Sequence, residues 1–338
     1  MRRSILFPVF LAAVALAGGC AAIPEPVAVR SQMPEAAVDN PRDGEWKKRD
    51  SAKENGEKNK PDEKDKSEKK EKSSPKTLFE WAIGPEVEEK EDKGPDTIVT
   101  DRPDFTEASS TVGLGRVQLE AGYTYFRDRS GGSTFVTQTY PEALLRIGVL
   151  ADWFEVRLGQ TYIHSRTTAF GRTTEHLSGL SDLYVGAKLA LTEQKGELPE
   201  MAIVFQALVP TAGELLTADR VLPGFNYLYG WDIIPDFLSA GGSFGANKVV
   251  DDDGHSFVVV SQSFTIGYTL TEQFGAYTEW FALYPSGATA RDTSPEHYFN
   301  GGFTYKVTPD FQLDIRAGVG LNKHAQDFFT GVGFAVRY

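Results

Sequence analysis

The feature that most constrains the fold is a long-range alternation of apolar and polar residues. In Val117–Arg127 the odd positions hold Val, Leu, Ala and Tyr, while the even ones hold mostly Gln, Glu, Gly and Thr. The same pattern recurs in Leu183–Leu191 and in Phe311–Leu321. Because successive side chains of a strand point to opposite sheet faces, these segments are predicted to be strands with one apolar and one polar face.

The predicted strands are long, and their number is even. Spanning strands of a membrane barrel need about 9–11 residues, whereas soluble strands average about 5–6. A soluble antiparallel sandwich with one wet face would also alternate, but it would not need this length. Twelve strands are predicted, at 116–127, 138–150, 153–164, 180–192, 199–209, 224–234, 237–248, 255–269, 273–284, 296–307, 310–321 and 329–338.

The predicted connections alternate in length as well. Short turns are expected at 151–152, 193–199, 235–236, 271–272 and 309–310. Long polar loops are expected at 128–137, 165–179, 210–224, 249–254, 286–294 and 323–327. Short turns on one side and long loops on the other are typical of outer-membrane barrels. The fold class predicted is therefore an all-β, transmembrane, antiparallel up-and-down β-barrel of about twelve strands, within a range of 10 to 14.

The end of the chain carries a further signal for this class. Phe334, Val336 and the terminal Tyr338 share one face of the last predicted strand. They resemble the C-terminal signal by which the barrel-assembly machinery recognises its clients. We therefore expect that machinery, and outer-membrane lipid, to be partners of the chain.

The N-terminus is predicted to be a secretory signal peptide. Arg2 and Arg3 precede an apolar run, Ile5–Ala17, that is too short to span a membrane. Cys20, the single cysteine, follows Ala17-Gly18-Gly19 and resembles a lipidation site. The sequence thus predicts a lipoprotein-type signal at 1–19 with a lipidated Cys20; ordinary cleavage near Ala22 is the alternative.

Residues 20–95 are predicted to be a disordered, charged periplasmic tail. Arg42–Lys93 holds 15 basic and 16 acidic residues and has little to bury. One apolar patch interrupts it, Thr77–Ile83, either as a local helical turn or as a segment that docks on a partner or on the barrel mouth.

Composition excludes other classes. From Gly94 onward the chain has 28 acidic and 17 basic residues, so −11 of the formal −12 lies there. This acidic balance argues against nucleic acid as a partner. A single cysteine excludes a disulfide framework, and no zinc spacing or phosphate-binding glycine loop is present, so no cofactor or metal is predicted.

Short motifs from about residue 96 to Tyr338 are similar to a known family. They are Thr100–Glu107 (TDRPDFTE), Gln118–Tyr123 (QLEAGY) and Gly179–Leu183 (GLSDL), together with the aromatic terminus. The chain resembles the outer-membrane transporter family labelled for the MetA pathway of phenol degradation. The resemblance implies passage of small molecules, aromatic or otherwise hydrophobic, across the outer membrane. The tail and Cys20 are not part of that pattern.

Residues 96–115 form a lead-in segment before the first strand, and 116–338 is the predicted barrel. Arg102, Pro103, Asp104 and Phe105 do not suit a lipid-facing strand. We hypothesise that they form a plug in the periplasmic mouth, with Arg102 pairing with Glu120 or Asp314. A solvated lead-in loop is the alternative.

The polar faces of the predicted strands supply the lumen candidates. The acidic ones are Glu120, Glu142, Glu155, Asp182, Asp232, Glu279 and Asp314; the basic ones are Arg146, Arg157, Lys188, Lys306 and Arg316. Such mixed charge is interpreted either as cross-strand pairs that neutralise one another or as a field that orders small polar solutes.

Two further patterns are candidates for a catalytic site and a metal site. His176 near Ser178 would suit a lipid-modifying hydrolase, and Asp251–Gly254 (DDDG) a divalent cation, but scattered loop residues and an acidic turn explain both.

The function predicted is an outer-membrane channel for small molecules, with no catalytic residues. The alternative is a structural or envelope-tethering barrel with a filled lumen and a partner-binding tail, and a lipid-modifying enzyme is the third interpretation.

Overall fold

The computed structural model describes residues 75–83, 96–251, 254–289 and 294–338. Within them the chain forms one short helix, α1 (Leu78–Ile83), and thirteen strands. The predicted signal peptide, Cys20 and most of the predicted tail lie outside the described residues. Among the described residues, no helix has the length and apolar character to cross a membrane.

The thirteen strands form one antiparallel sheet that closes on itself. The strands are β1 (Val117–Ser130), β2 (Ser133–Gly148), β3 (Phe154–Ala169), β4 (Arg172–Leu180), β5 (Leu183–Thr192), β6 (Glu200–Val209), β7 (Leu222–Ile234), β8 (Leu238–Val250), β9 (Ser256–Thr269), β10 (Phe274–Ser286), β11 (Glu296–Thr308), β12 (Phe311–Gly320) and β13 (Phe328–Arg337). Sequence neighbours pair with one another except β4 and β5, and β1 pairs with both β2 and β13, which closes the barrel.

Strands β4 and β5 together make one barrel position, so the barrel has twelve. Strand β3 pairs with β4 along one half of its length and with β5 along the other. The strand conformation is interrupted between β4 and β5 at Ser181-Asp182. The predicted twelve-stranded antiparallel barrel is therefore confirmed. The observed strand bounds differ from the predicted ones by a few residues, except at two hairpins.

At those two hairpins, strands replace predicted loops. Residues 128–137 were predicted to be a polar loop, yet β1 and β2 pair through them as far as Ser130 and Ser133. Gly131 and Gly132 make the turn, both at positive φ, which suits a tight two-residue hairpin. Likewise 165–179 contains the end of β3 and most of β4, joined at Phe170-Gly171. Both faces of these strand ends carry polar side chains, because a strand beyond the apolar belt needs no hydrophobic face. The alternation that predicts a strand is therefore absent from them.

The barrel has two distinct ends. The short-turn end carries both barrel termini and the connections at 149–153, 193–199, 235–237, 270–273 and 309–310. The long-loop end carries the two extended hairpins and the connections that follow β6, β8, β10 and β12.

Alternation sets which side chains face the lumen. On β1, Gln118, Glu120 and Thr124 are fully buried inside, whereas outward side chains such as Phe299, Phe303 and Val332 on other strands stay exposed on the outer wall. A polar interior and an apolar exterior are what a barrel in lipid requires.

Candidate functional site

The central part of the lead-in segment (residues 96–115) lies inside the barrel, and the segment enters and leaves at the same end. Its first residues are held at the short-turn end, where the Ile98 amide donates to the Pro309 carbonyl at 2.7 Å. Its last residues return to that end, where the Leu114 amide donates to Asp152 Oδ1 at 3.0 Å. Between them the chain reaches Phe105, whose ring stacks on Phe281 of β10 at 4.5 Å. The segment is thus a loop that dips into the lumen.

Asp101 of the segment binds a cluster of three cations on one side of the lumen. Its carboxylate lies 2.8 Å from Lys188 Nζ, 2.8 Å from Arg157 Nη2 and 3.4 Å from Arg146 Nη1. All four side chains are buried, and the three cations come from the adjacent strands β2, β3 and β5. Glu107 adds a second carboxylate, 2.5 Å from Arg157 Nη1. Buried charges require such pairing, because an isolated one is strongly disfavoured.

Arg102, the next residue, binds carboxylates elsewhere on the wall. Its guanidinium lies 2.8 Å from Glu142 Oε2 on β2 and 3.3 Å from Asp314 Oδ1 on β12. It rests on Gly122 of β1 and Gly333 of β13, which face each other across the ladder. A Cβ at either glycine would overlap the guanidinium. Of the two partners predicted for Arg102, Asp314 is therefore present, and Glu142 takes the place of Glu120.

Wall carboxylates also accept hydrogen bonds from the backbone of the segment. Glu279 accepts the amides of Phe105 and Thr106, both at 2.7 Å. Glu120 accepts the Asp101 amide at 3.1 Å, and Glu155 accepts the Val112 amide at 2.9 Å. The barrel therefore recognises the path of the segment as well as its charges.

The other predicted lumen residues fall into two groups. Arg316 donates to the Pro103 carbonyl at 2.8 Å, and Lys306 donates to Thr97 at 3.2 Å, so both contact the segment. Asp232 instead lies exposed at the short-turn rim, where its backbone bonds Gln194.

Wall-to-wall neutralisation accounts for part of the predicted charges only. Arg146 pairs with Glu155 at 2.8 Å and with Glu120 at 3.0 Å. Arg157 and Lys188 form ion pairs chiefly with Asp101 and Glu107 of the segment. These two residues are not among the site residues predicted from the sequence. Their signal was the TDRPDFTE motif itself, whose acidic side chains can neutralise a local cluster of cations such as Arg157 and Lys188.

The surroundings push the ionisation of neighbouring segment residues in opposite directions. Burial alone would raise the pKa of Asp101, but Arg146, Lys188 and Arg157 outweigh it and hold that pKa well below its usual range. Burial, and after it the charge of Glu279, raises the pKa of Asp104 well above its usual range, with Arg316 opposing. Asp101 is therefore an anion in the seated segment, whereas the neutral form of Asp104 is favoured.

An apolar layer lies between the charged layer and the long-loop end. Phe281 stacks on Tyr298 at 4.7 Å as well as on Phe105, and Phe329 packs against both at 6.3–6.4 Å. Further members of this buried cluster are Phe126, Ile163, Leu216, Val249, Phe257, Val259, Leu283 and Ala325. These side chains point into the barrel, so a solute crossing the lumen would meet aromatic and aliphatic groups.

Asp182 fastens a loop of the long-loop end onto this layer. At the break between β4 and β5, its carboxylate accepts the amides of Thr211, Ala212 and Ala218 at 3.0–3.1 Å. The loop 210–221 is thereby turned inward, and its Leu216 joins the apolar cluster. Asp182 belongs to the GLSDL motif, and this contact gives the motif a structural role.

The remaining predicted features lie away from the lumen. Phe334 and Tyr338 are exposed on the outer face of β13 or at its end. His176 packs its ring against His164 at 4.7 Å on the β3–β4 hairpin. Asp251 accepts the His255 amide at 2.8 Å and the Thr289 hydroxyl at 3.0 Å, which is the bonding of a turn.

The closed antiparallel sheet, its even strand number and its alternately short and long connections define a transmembrane β-barrel of the outer-membrane class. A family model described as "Putative MetA-pathway of phenol degradation" matches residues 100–338. The chain belongs to that family, as the sequence motifs predicted.

Solved structures share the fold at low sequence identity. The structure is similar to an outer-membrane channel from Pseudomonas putida F1, at 12% identity and a TM-score of 0.55, covering 68% of this chain and 98% of that chain. It is more distantly similar to the NanC porin, at 10% identity and a TM-score of 0.41, covering 65% and 98%. CymD, described as a monoaromatic hydrocarbon channel, matches at 9% identity and a TM-score of 0.38, covering 67% and 89%. A search of curated proteins found no significant match.

Proposed function

We propose that the protein is an outer-membrane channel for small apolar molecules, aromatic ones among them, and that residues 96–115 are its plug. The observation that carries the proposal is the apolar layer of the lumen, which Phe105 of the plug completes by stacking on Phe281. A pore for ions or sugars is lined by polar groups throughout. The aromatic rings stabilise an apolar solute, because its transfer from water to an apolar surface is favourable. A polar solute would lose its hydrogen bonds with water here and would be stabilised only weakly by the rings.

The charged layer supports a plug that is held but removable. Asp101 and Arg102 attach it through ion pairs to wall residues, and these contacts involve no covalent bond. Breaking such buried ion pairs is energetically costly, so the segment stays in the lumen most of the time. Since the seated segment blocks the path of water and small ions, we expect low ionic conductance. Passage of a solute then requires the segment to shift from the lumen.

The orientation proposed puts the short-turn end in the periplasm. Outer-membrane barrels have short turns on that side and long loops outside. The N-terminal region up to residue 95 would then be periplasmic. We further propose that Cys20 is lipidated and that the strand-end residues Phe334, Val336 and Tyr338 are read by the barrel-assembly machinery.

A deletion of residues 96–110 tests the plug. The purified full-length protein and the deletion variant are reconstituted in planar bilayers, and heat-modifiable migration on gels verifies that each barrel is folded. We expect large, frequent conductance steps from the variant and small, rare ones from the parent. Equal conductance of the two folded proteins would refute the plug.

A second measurement tests the solute class. Liposomes containing each protein are assayed for uptake of phenol and of a charged solute of similar size. Phe281→Ala removes a ring of the apolar layer that stays in the wall when the segment leaves, and should lower phenol uptake relative to the charged solute. The matched control Phe303→Ala removes an outward ring and should leave the ratio unchanged. A ratio that does not respond to Phe281→Ala would contradict an apolar pathway.

The dense filling of the lumen also supports a second function, a structural barrel whose N-terminal tail binds envelope partners. In that case the deletion variant would be folded yet electrically silent and impermeable to both solutes. The proposal assigns no catalytic role to the chain.

A further inference from the structure

Helix α1 lies beside the barrel at its short-turn end. The Trp81 ring is 5.7 Å from the ring of Trp153 in the β2–β3 turn, and Trp153 meets Phe154 edge-on at 6.1 Å. Lys76, just before the helix, is 4.0 Å from Glu193 in the β5–β6 turn. Two turns of the barrel therefore hold the helix at one place on this end.

The start of α1 is fixed by reciprocal capping. The Glu80 amide donates to Thr77 Oγ1 at 3.2 Å, and the Lys76 amide donates to Glu80 Oε2 at 3.0 Å. This pattern satisfies amides that a helix start leaves free. A helix of six residues is not stable alone in water, so its contacts with the barrel and its cap account for its formation.

One face of the helix presents apolar side chains away from the barrel. Phe79 and Ile83 are one turn apart on this face and are 46% and 85% exposed. Trp81 lies on the other side of the helix, against Trp153, and keeps 62% of its surface exposed. Two large apolar side chains exposed on one face form a patch of the kind that marks an interaction surface.

The position of this patch favours lipid as the occupant. The outer wall at the same end carries exposed Phe237, Tyr305 and Phe334, which form the aromatic belt expected where a barrel crosses a membrane interface. Trp81 contacts Trp153, which in turn meets Phe154 at the start of β3, so the helix lies at the same end of the barrel as this belt. The indole ring of Trp81 is a group that prefers the interfacial region.

We infer that α1 is an interfacial anchor that inserts Phe79 and Ile83 into the membrane leaflet at the short-turn end, while Trp81 holds the helix against the β2–β3 turn. The anchor lies twelve residues (84–95) before Asp96, where the lead-in segment begins. It therefore keeps the start of that segment close to the barrel mouth when the segment leaves the lumen. The inference concerns a membrane contact and does not depend on conductance or solute.

Site-directed fluorescence tests the anchor in the full-length protein. In a Cys20→Ser background, Phe79→Cys and Ile83→Cys, which leave the Trp81–Trp153 contact in place, are labelled with an environment-sensitive dye and reconstituted in phosphatidylethanolamine–phosphatidylglycerol vesicles. Lys323→Cys, exposed in a loop of the long-loop end, is the matched aqueous control. Heat-modifiable migration verifies that each labelled barrel is folded.

We expect blue-shifted emission at positions 79 and 83 and strong quenching by lipid carrying a nitroxide near the headgroup. Iodide in the water should quench these positions several-fold less than position 323. Iodide quenching equal to that of position 323, without quenching by the nitroxide lipid, would overturn the inference. A blue shift that appears only when a periplasmic extract is added would also overturn it, in favour of a protein partner. Labelling at Ala82→Cys, exposed and one turn from Phe79, provides an independent repeat if either of the other variants fails to fold.

Discussion

The Asp101 carboxylate and the Lys188 ammonium lie 2.8 Å apart, both fully buried, although 87 positions separate them in the chain. Lys188 also donates to the Ala108 carbonyl at 2.8 Å. One lysine of the barrel wall thus holds the lead-in segment at two points, on the way in and on the way out. Contacts of this kind join the segment to the barrel more specifically than apolar packing would.

Removing the Asp101 carboxylate should release the segment. Asp101→Ala leaves Arg157 and Lys188 short of a counterion, and breaking a buried pair in this way costs about 3–5 kcal/mol. That is more than about a hundredfold in the ratio of seated to released segment. We expect higher single-channel conductance and a shift toward anion selectivity, measured from the reversal potential in a salt gradient. Asp96→Ala, at the exposed rim, is the control and should behave as the parent.

The two glycines beneath Arg102 should be as important as its ion pairs. Gly333→Ala places a methyl group where the guanidinium lies, with an overpacking cost of about 1–3 kcal/mol. We expect Arg102 to lose Glu142 and Asp314 and the open fraction in planar bilayers to rise. Gly230→Ala is matched, since its added Cβ would meet its nearest neighbour at an ordinary 3.5 Å. A Gly333→Ala barrel as silent as the parent would show that Arg102 does not hold the segment.

Opening should increase as pH rises. Asp104 has a raised pKa in the seated segment and an ordinary one, about 4, when the segment is released into water. Protonation therefore favours seating, which is strongest below the ordinary pKa and weakens as pH rises through the raised one. Asp101, with its lowered pKa, acts oppositely and loses its stabilising contribution only in strong acid. Conductance recorded from about pH 4, the ordinary carboxyl pKa, to mildly alkaline pH should rise in the parent and rise less in Asp104→Asn. A parallel rise in both proteins would exclude Asp104 as the responsible group.

Loop 210–221 should come loose without Asp182. Asp182→Ala removes three hydrogen bonds to a carboxylate, each contributing about 1.5–3 kcal/mol. Leu216 would then leave the apolar cluster, and trypsin should cleave after Arg220 much faster than in the parent. Glu214→Ala removes an exposed carboxylate of the same loop and serves as the comparison. Unchanged cleavage kinetics would mean that apolar packing alone holds the loop.

Local patterns were sufficient to predict the barrel but not its interior. Alternation along strands such as Val117–Arg127 specifies which side chains face lipid, since only one face of a spanning strand is apolar. The pairing of Asp101 with Lys188 joins distant parts of the chain, and no spacing encodes it. The charged residues of the wall could be listed from the sequence. The register of β2, β3 and β5 decides which of them pair with one another and which pair with the lead-in segment. The extended hairpins were missed for a related reason, because strands beyond the membrane need no apolar face.

The return of residues 96–115 to the end at which they enter has a consequence for biogenesis. A chain that crossed the lumen from one end to the other would have to be threaded before or during closure of the sheet. This segment can enter the lumen as a loop after β1 and β13 have joined, and it can leave again. Neither chain end has to pass through the ring of strands. Assembly of the wall and occupation of its interior are therefore topologically independent events.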